Sequence, residues 1–234
     1  MNEFSSAIGA ALSMIVTLEA DLVEIVLLSL QVSLSAVAIA SVIALPLGAL
    51  IALQSFPGRR GVVILLNALM GLPPVVVGLL VYLLLSRAGP LGPMGLLFTP
   101  TAMIIAQSFI VLPIIAALSR QTIADLHEEY DEHLRSLGCS PMQSVATLLW
   151  DGRFRLLTAI MAGFGRAIAE VGAVIIVGGN IQHATRVMTT TIALETSKGN
   201  LALALGLGLI LVTLALGVNA TALVISDAAR RRYG

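Results

Sequence analysis

The chain has 234 residues, 58% of them hydrophobic and 11% charged, with a mean hydropathy of +1.00. Composition of this kind excludes an ordinary soluble domain, and apolar runs of 18 residues or more mark an integral membrane protein. The 13 basic and 13 acidic residues cancel, which leaves no basic field for nucleic acid, and the single cysteine, Cys139, excludes an internal disulfide and a cysteine metal cluster.

Residues 4–18 are apolar, but about 15 residues fall short of the roughly 20 that a spanning helix needs. Glu19, Asp21 and Glu24 follow, so this segment reads as a helix lying at the membrane interface. No basic n-region precedes it, and no cleavable leader is expected. Five runs are long enough to cross: 26–53, 62–85, 97–118, 156–177 and 201–225. The expected fold is therefore an all-α integral membrane protein with about five transmembrane helices plus an N-terminal interfacial helix. A single domain over 1–234 is expected, with its helical core at 24–226.

In the first run, Ser29, Ser33 and Ser35 occupy the outer half, and Pro46 and Gly48 break the pattern late. The second run is interrupted by Gly71-Leu72-Pro73-Pro74. Two prolines remove two backbone donors and free carbonyls of the preceding turn. Inside a bilayer those carbonyls need partners in protein or water. A broken helix lining a cavity and a packed kink both satisfy that need. The Gly- and Pro-rich stretch 88–95 reads as a tight external turn.

Residues 119–155 form a long polar connection. From Thr122 to Leu137 the pattern continues the helix of the third run, and Gly138 follows as a residue suited to the left-handed conformation past a helix end. Ser140 as N-cap, Pro141 at the first helical position, Met142 next and Gln143 at the third make a capping box. Val145, Leu148 and Leu149 give the new short helix an apolar face. Such a helix docks into a partner's groove or lies on its own bundle; both readings are open.

The fourth run contains Arg166 and Glu170. A charge near the bilayer centre costs a few kcal/mol on insertion scales. At i, i+4 the two share one helical face and can pair. That face points into a bundle or a water-lined path, or the pair is a buried structural ion pair orienting two helices.

Arginine placement sets an orientation. Arg59, Arg60, Arg120, Arg135, Arg153, Arg155 and Arg230 to Arg232 fall on one side, against Arg87, Arg186 and Lys198 on the other. By the positive-inside rule the amino terminus is outside and the carboxyl terminus cytoplasmic, in the cell's inner membrane. No internal repeat is visible, so a two-fold path would need a second copy.

The 119–155 loop resembles that of the permease subunits of ATP-binding-cassette importers. Their signature is Glu-Ala-Ala, three residues, Gly, about nine residues, then Ile-x-Leu-Pro. Glu132-His133-Leu134 stands at the first element, Gly138 at the glycine, and Leu148, Trp150 and Asp151 at Ile, Leu and Pro. Both alanines and the final proline are replaced. The stretch Gly165 to Ala173 is similar to the Arg-x-x-x-Glu-Phe-Gly-Ala run of molybdate and sulfate permeases, as are Ser55-Phe56-Pro57-Gly58 and Leu72 to Gly78. Val177 to Ile181 and Thr190 to Gly199 resemble the tungstate branch most. The resemblance covers nearly the whole chain from about Glu24 onward.

The resemblance implies a molybdate-permease-like, type I importer fold and a transmembrane permease domain. It implies a homodimeric pore served by two cytoplasmic ATP-binding subunits and an extracytoplasmic anion-binding protein. The loop helix would be the coupling helix, with Glu132, Gly138, Ser140, Pro141 and Met142 at the contact. The path, with Arg166 and Glu170 in it or beside it, would pass Pro73 and Pro74, with Thr189, Thr190 and Thr191 offering hydroxyls near its external mouth. Tungstate is the implied cargo, with molybdate or sulfate as alternatives.

Lys198 is the only lysine and follows Ser197, so a Gly-x-x-x-x-Gly-Lys-[Ser/Thr] phosphate loop cannot be written. No enzyme activity and no cofactor or metal is expected. His127, Glu128 and His133 do not have the His-Glu-x-x-His spacing and read as a solvated face. A proton-driven secondary transporter using Glu170 is the competing function. An intramembrane enzyme would need a second polar group beside Glu170, and Ser29, Ser33 and Ser35 have no histidine base nearby.

Overall fold

The computed structural model describes residue 17 and residues 19–233. The interfacial helix expected at 4–18 lies, Thr17 apart, outside them. The described residues form α1 (Ala20–Leu53), α2 (Arg59–Met70), α3 (Pro74–Leu85), α4 (Pro100–Ser136), α5 (Pro141–Asp151), α6 (Arg153–Ile168), α7 (Gly172–Gly178), α8 (Met188–Lys198) and α9 (Leu201–Tyr233). A 3₁₀ turn, Gly92–Met94, sits in the Gly/Pro-rich connection. Among the described residues there is no strand, so the expected all-α class is the observed one.

α1, α4 and the Leu201–Ser226 part of α9 are each long and apolar enough to cross a membrane. The count rises to five if the pairs α2–α3 and α6–α7 each form one span with a sharp break. The interruption expected within 62–85 is a sharp break between two helices, whereas the single run expected at 156–177 is corrected to a broken pair. At the first break Gly71 and Leu72 donate their N–H groups to Ala68 and Leu69 in tight turns. Pro73 is extended, and Pro74 opens α3 at a position where no helical N–H is required. The break expected at Pro46 does not occur: α1 runs through it to Leu53.

The chain divides into two compact units. One comprises Met1–Ala36, Pro73–Gln107 and Ala167–Val218; the other comprises Val37–Leu72, Ser108–Arg166 and Asn219–Gly234. α1, α4, α6 and α9 contribute residues to both.

In the first unit α3 packs against α7 at backbone distance. A Cβ on Gly78 would lie 2.7 Å from the Ala173 Cα, so only glycine admits this approach. Val77, Val81, Leu85, Val174 and Val177 are buried around it. Phe98 donates its N–H to the Val177 carbonyl at 2.9 Å and meets Tyr82 edge-on. In the second unit Ala49, Ala52, Ile123, Leu126, Leu134, Val145, Leu148 and Leu156 form one buried cluster. Gly48 brings α1 onto α4, where a Cβ would lie 2.5 Å from the Ala116 carbonyl oxygen. Ser119 Oγ donates across the same contact to the Leu45 carbonyl at 3.0 Å.

Candidate functional site

Two regions carry the chemistry singled out in the sequence. The first is the end of α4 and the whole of α5. Past Ser136 the chain turns through Gly138 at φ +68°. Gly138 N–H donates to the Arg135 carbonyl and Cys139 N–H to that of Leu134, the paired bonds of a Schellman motif. Ser140 then caps α5. Its N–H donates to Gln143 Oε1 at 2.8 Å, and Gln143 N–H returns to Ser140 Oγ at 3.4 Å. The capping box read from the sequence is therefore formed.

Val145 and Leu148 are buried in the cluster of the second unit, with Leu149 packed beside them. Of the two open readings, the apolar face of α5 takes the second: it lies on its own bundle. A different surface faces outward. Leu137 is 78% exposed, Met142 64% and Trp150 69%, and Glu132, Gly138, Ser140 and Pro141 are exposed around them. The Arg153 guanidinium stacks 4.7 Å from Trp150 and 4.6 Å from Phe154, which holds the indole in place. Asp131 pairs with Arg135 at 2.9 Å and His127 at 3.6 Å, and Arg155 with Glu129 at 3.5 Å. Exposed Met and Trp on a fixed helix, with an Arg stacked on the indole, have the chemistry of an interface centre.

The second region is a small polar chamber in the first unit, at the break between α6 and α7. Ser29, Val32, Ser33, Gln107, Ile168, Glu170, Val187 and Thr189 line it. Glu170 is 3% exposed. α6 ends at Ile168, so Glu170 stands in the break and not on a continuous helix with Arg166. The shared helical face expected of the two is corrected accordingly. Both residues have interaction partners. Glu170 Oε1 accepts the Ala173 N–H at 3.1 Å and so caps the first turn of α7. Its carbonyl accepts from Thr189 Oγ1 at 2.8 Å.

The expected free hydroxyls of α8 are also corrected. Thr189, Thr190 and Thr191 are buried. Thr190 Oγ1 lies 2.9 Å from Asn180 Oδ1, and Thr191 Oγ1 donates to the Val187 carbonyl at 2.7 Å. Of the three, Thr189 alone lines the chamber. Pro73 is exposed and Pro74 half-buried, and neither lines it. Ser29 and Ser33, noted for their position in the first run, do line it. Gln107 is the residue the sequence reading missed. An amide in the apolar run 97–118 carries the same signal that singled out Arg166 and Glu170.

A third cluster lies at the start of α1 and the α7–α8 loop. His183 Nδ1 is 2.9 Å from Glu24 Oε2, and Arg186 lines the same hollow. The hydrogen bond to Glu24 and then its charge raise the His183 pKa above the usual 6.5, with a smaller push from Asp21. Asp21, Glu24 and His183 bring three ligand atoms within 4.8 Å of one another, all on exposed side chains. The His183–Glu24 bond accounts for the approach of two of the three.

Long apolar helices, two sharply bent helix pairs and a capped loop helix are the architecture of a multi-pass integral membrane protein. Residues 44–232 match the model of the binding-protein-dependent transport system inner membrane component, and the chain belongs to this family of ATP-binding-cassette permeases. It is 39% identical over 218 residues to the "Probable anion ABC transporter permease protein" of Haloferax volcanii, covering 91% of this chain and 94% of that one. It is 39% identical over 200 residues to the tungstate uptake system permease protein TupB of Peptoclostridium acidaminophilum, covering 86% and 88%. TupB of Campylobacter jejuni is 40% identical over 147 residues, covering 63% of this chain and 62% of its own.

Proposed function

We propose that the chain is the permease of an ATP-driven oxyanion importer whose cargo is tungstate. It forms the path as a homodimer, acting as one permease domain with its amino terminus outside and its carboxyl terminus in the cytoplasm. An extracytoplasmic binding protein delivers the anion, and cytoplasmic ATPase subunits drive the cycle. An anion as cargo is supported by the name of the Haloferax volcanii relative, and tungstate by the names of the two TupB proteins.

The coupling role rests on one observation: α5 buries Val145 and Leu148 in its own bundle and leaves Met142 and Trp150 outside, beside the exposed Leu137 of the preceding turn. A helix fixed on one face and bare on the other transmits a push from whatever docks on it. Glu132, Gly138, Ser140, Pro141 and Met142 are the contact residues in this reading. In this reading Arg166 and Glu170 belong beside the path as a structural element, and Thr189, which donates to the Glu170 carbonyl, is the α8 hydroxyl associated with it.

The test is Met142→Glu and Trp150→Ala, singly, in permease co-expressed with its ATPase. A charge at Met142 in an apolar contact should remove most of the ATPase that co-purifies and reduce uptake at least ten-fold. Met142 and Trp150 do not contribute to the buried cluster, so insertion and thermal stability should hold. Full co-purification and uptake in both variants would show that α5 is not the docking element.

A further inference from the structure

The chamber at the α6–α7 break has an excess of acceptors. Gln107, 3% exposed, donates from Nε2 to the Ala167 carbonyl at 3.1 Å, which fixes the end of the amide that carries oxygen. Its Oε1 is buried with no hydrogen-bond partner. Thr189 commits its only proton to the Glu170 carbonyl, and Ser29 commits its own to that of Ile25 at 2.6 Å. Ser33 is buried, lines the chamber, and makes no side-chain hydrogen bond among the described residues. One acceptor therefore lacks a donor, and one hydroxyl lacks a partner, within the same small space.

Buried polar atoms of this kind are completed by ordered water where the site is polar and offers two to four partners. A water fits both needs at once. It donates one proton to Gln107 Oε1, accepts from the Ser33 hydroxyl, and has its second proton for a remaining lone pair on Thr189 or Ser29. An oxyanion meets only one of them: it could accept from Ser33, but it brings no proton for Gln107 Oε1 and would lie against the Glu170 carboxylate.

We propose that this chamber holds one permanent water bridging Gln107 Oε1 and Ser33 Oγ, and that it is closed to anions. The consequence is local and mechanical. The Ala167 carbonyl at the end of α6 is held by Gln107, the Ala173 amide in the first turn of α7 by Glu170, and the Glu170 carbonyl by Thr189. The water ties Gln107 to α1 through Ser33 and completes the set. The break is then a sealed, hydrated joint, and the anion's route does not pass through it.

A thermal double-mutant cycle on the purified full chain in detergent tests this. Gln107→Met and Ser33→Ala should each lower Tm by several degrees. The double variant should fall no further than the worse single one, because either change ejects the same water. Additive losses would overturn the proposal. Should Gln107→Met fail to fold, a density map of the wild type decides: a peak about 3 Å from both atoms is expected, and an empty chamber overturns it. Wild-type Tm should be equal in sodium, potassium and choline chloride. A sodium-specific rise would put a metal cation there instead. A rise with millimolar tungstate that Gln107→Met abolishes would make the chamber an anion site. None of these readouts involves uptake, so their failure leaves the importer reading standing.

Discussion

His183 shows how a single residue carries a pH response into the fold. Its imidazole is bonded to Glu24, 159 positions earlier, and so ties the α7–α8 loop to the first turns of α1. Asp21 adds to the attraction and Arg186 opposes it. Because the folded pKa is raised, the contribution to stability is full below 6.5 and is lost as pH rises through the raised value. The pair is exposed, so the effect is small. Thermal unfolding should show a shallow decline in Tm above pH 6.5 that Glu24→Gln abolishes; an unchanged pH profile in that variant would show that the pair does not form. The sequence did not single out this pair, since nothing local joins position 24 to position 183. Gly138 and the Ser140–Gln143 box were legible because capping is decided within four or five residues. The commitments of Thr189, Thr190 and Thr191 were not, because their partners depend on how α8 packs.

Among the elements, the breaks separate what pattern shows from what it hides. Pro73 and Pro74 announced the first one. The second has no proline, and a run of apolar residues on both sides of Glu170 reads as one helix until its backbone is seen. Pro46 gave the opposite error, a proline tolerated inside α1. Contact between elements was illegible for the same reason. The α3–α7 approach rests on Gly78, whose role appears only when Ala173 is found against it. Gly78→Val should destabilise by about 1–3 kcal/mol through overpacking against backbone that cannot yield. Gly208→Ala, on α9 with nothing within 4 Å of the added atom, should be neutral or slightly stabilising. Equal Tm for Gly78→Val and wild type would mean that α3 and α7 do not touch as described.

For the whole molecule, hydropathy located the membrane-crossing segments, and the loop signature led to the family that the match over 44–232 shows. Mechanism was less legible, because a path formed between two copies, as proposed above, would not be written in one chain. The central claim is that this chain moves tungstate only as the permease of an ATP-driven assembly. Uptake into proteoliposomes tests it most directly, with the permease alone or with its ATPase and external binding protein, with and without ATP. Tungstate should accumulate only with all three proteins and ATP, and the permease alone should bind it weakly or not at all. Accumulation by the purified chain alone in a pH gradient, without ATP, would contradict the account and make it a proton-driven carrier.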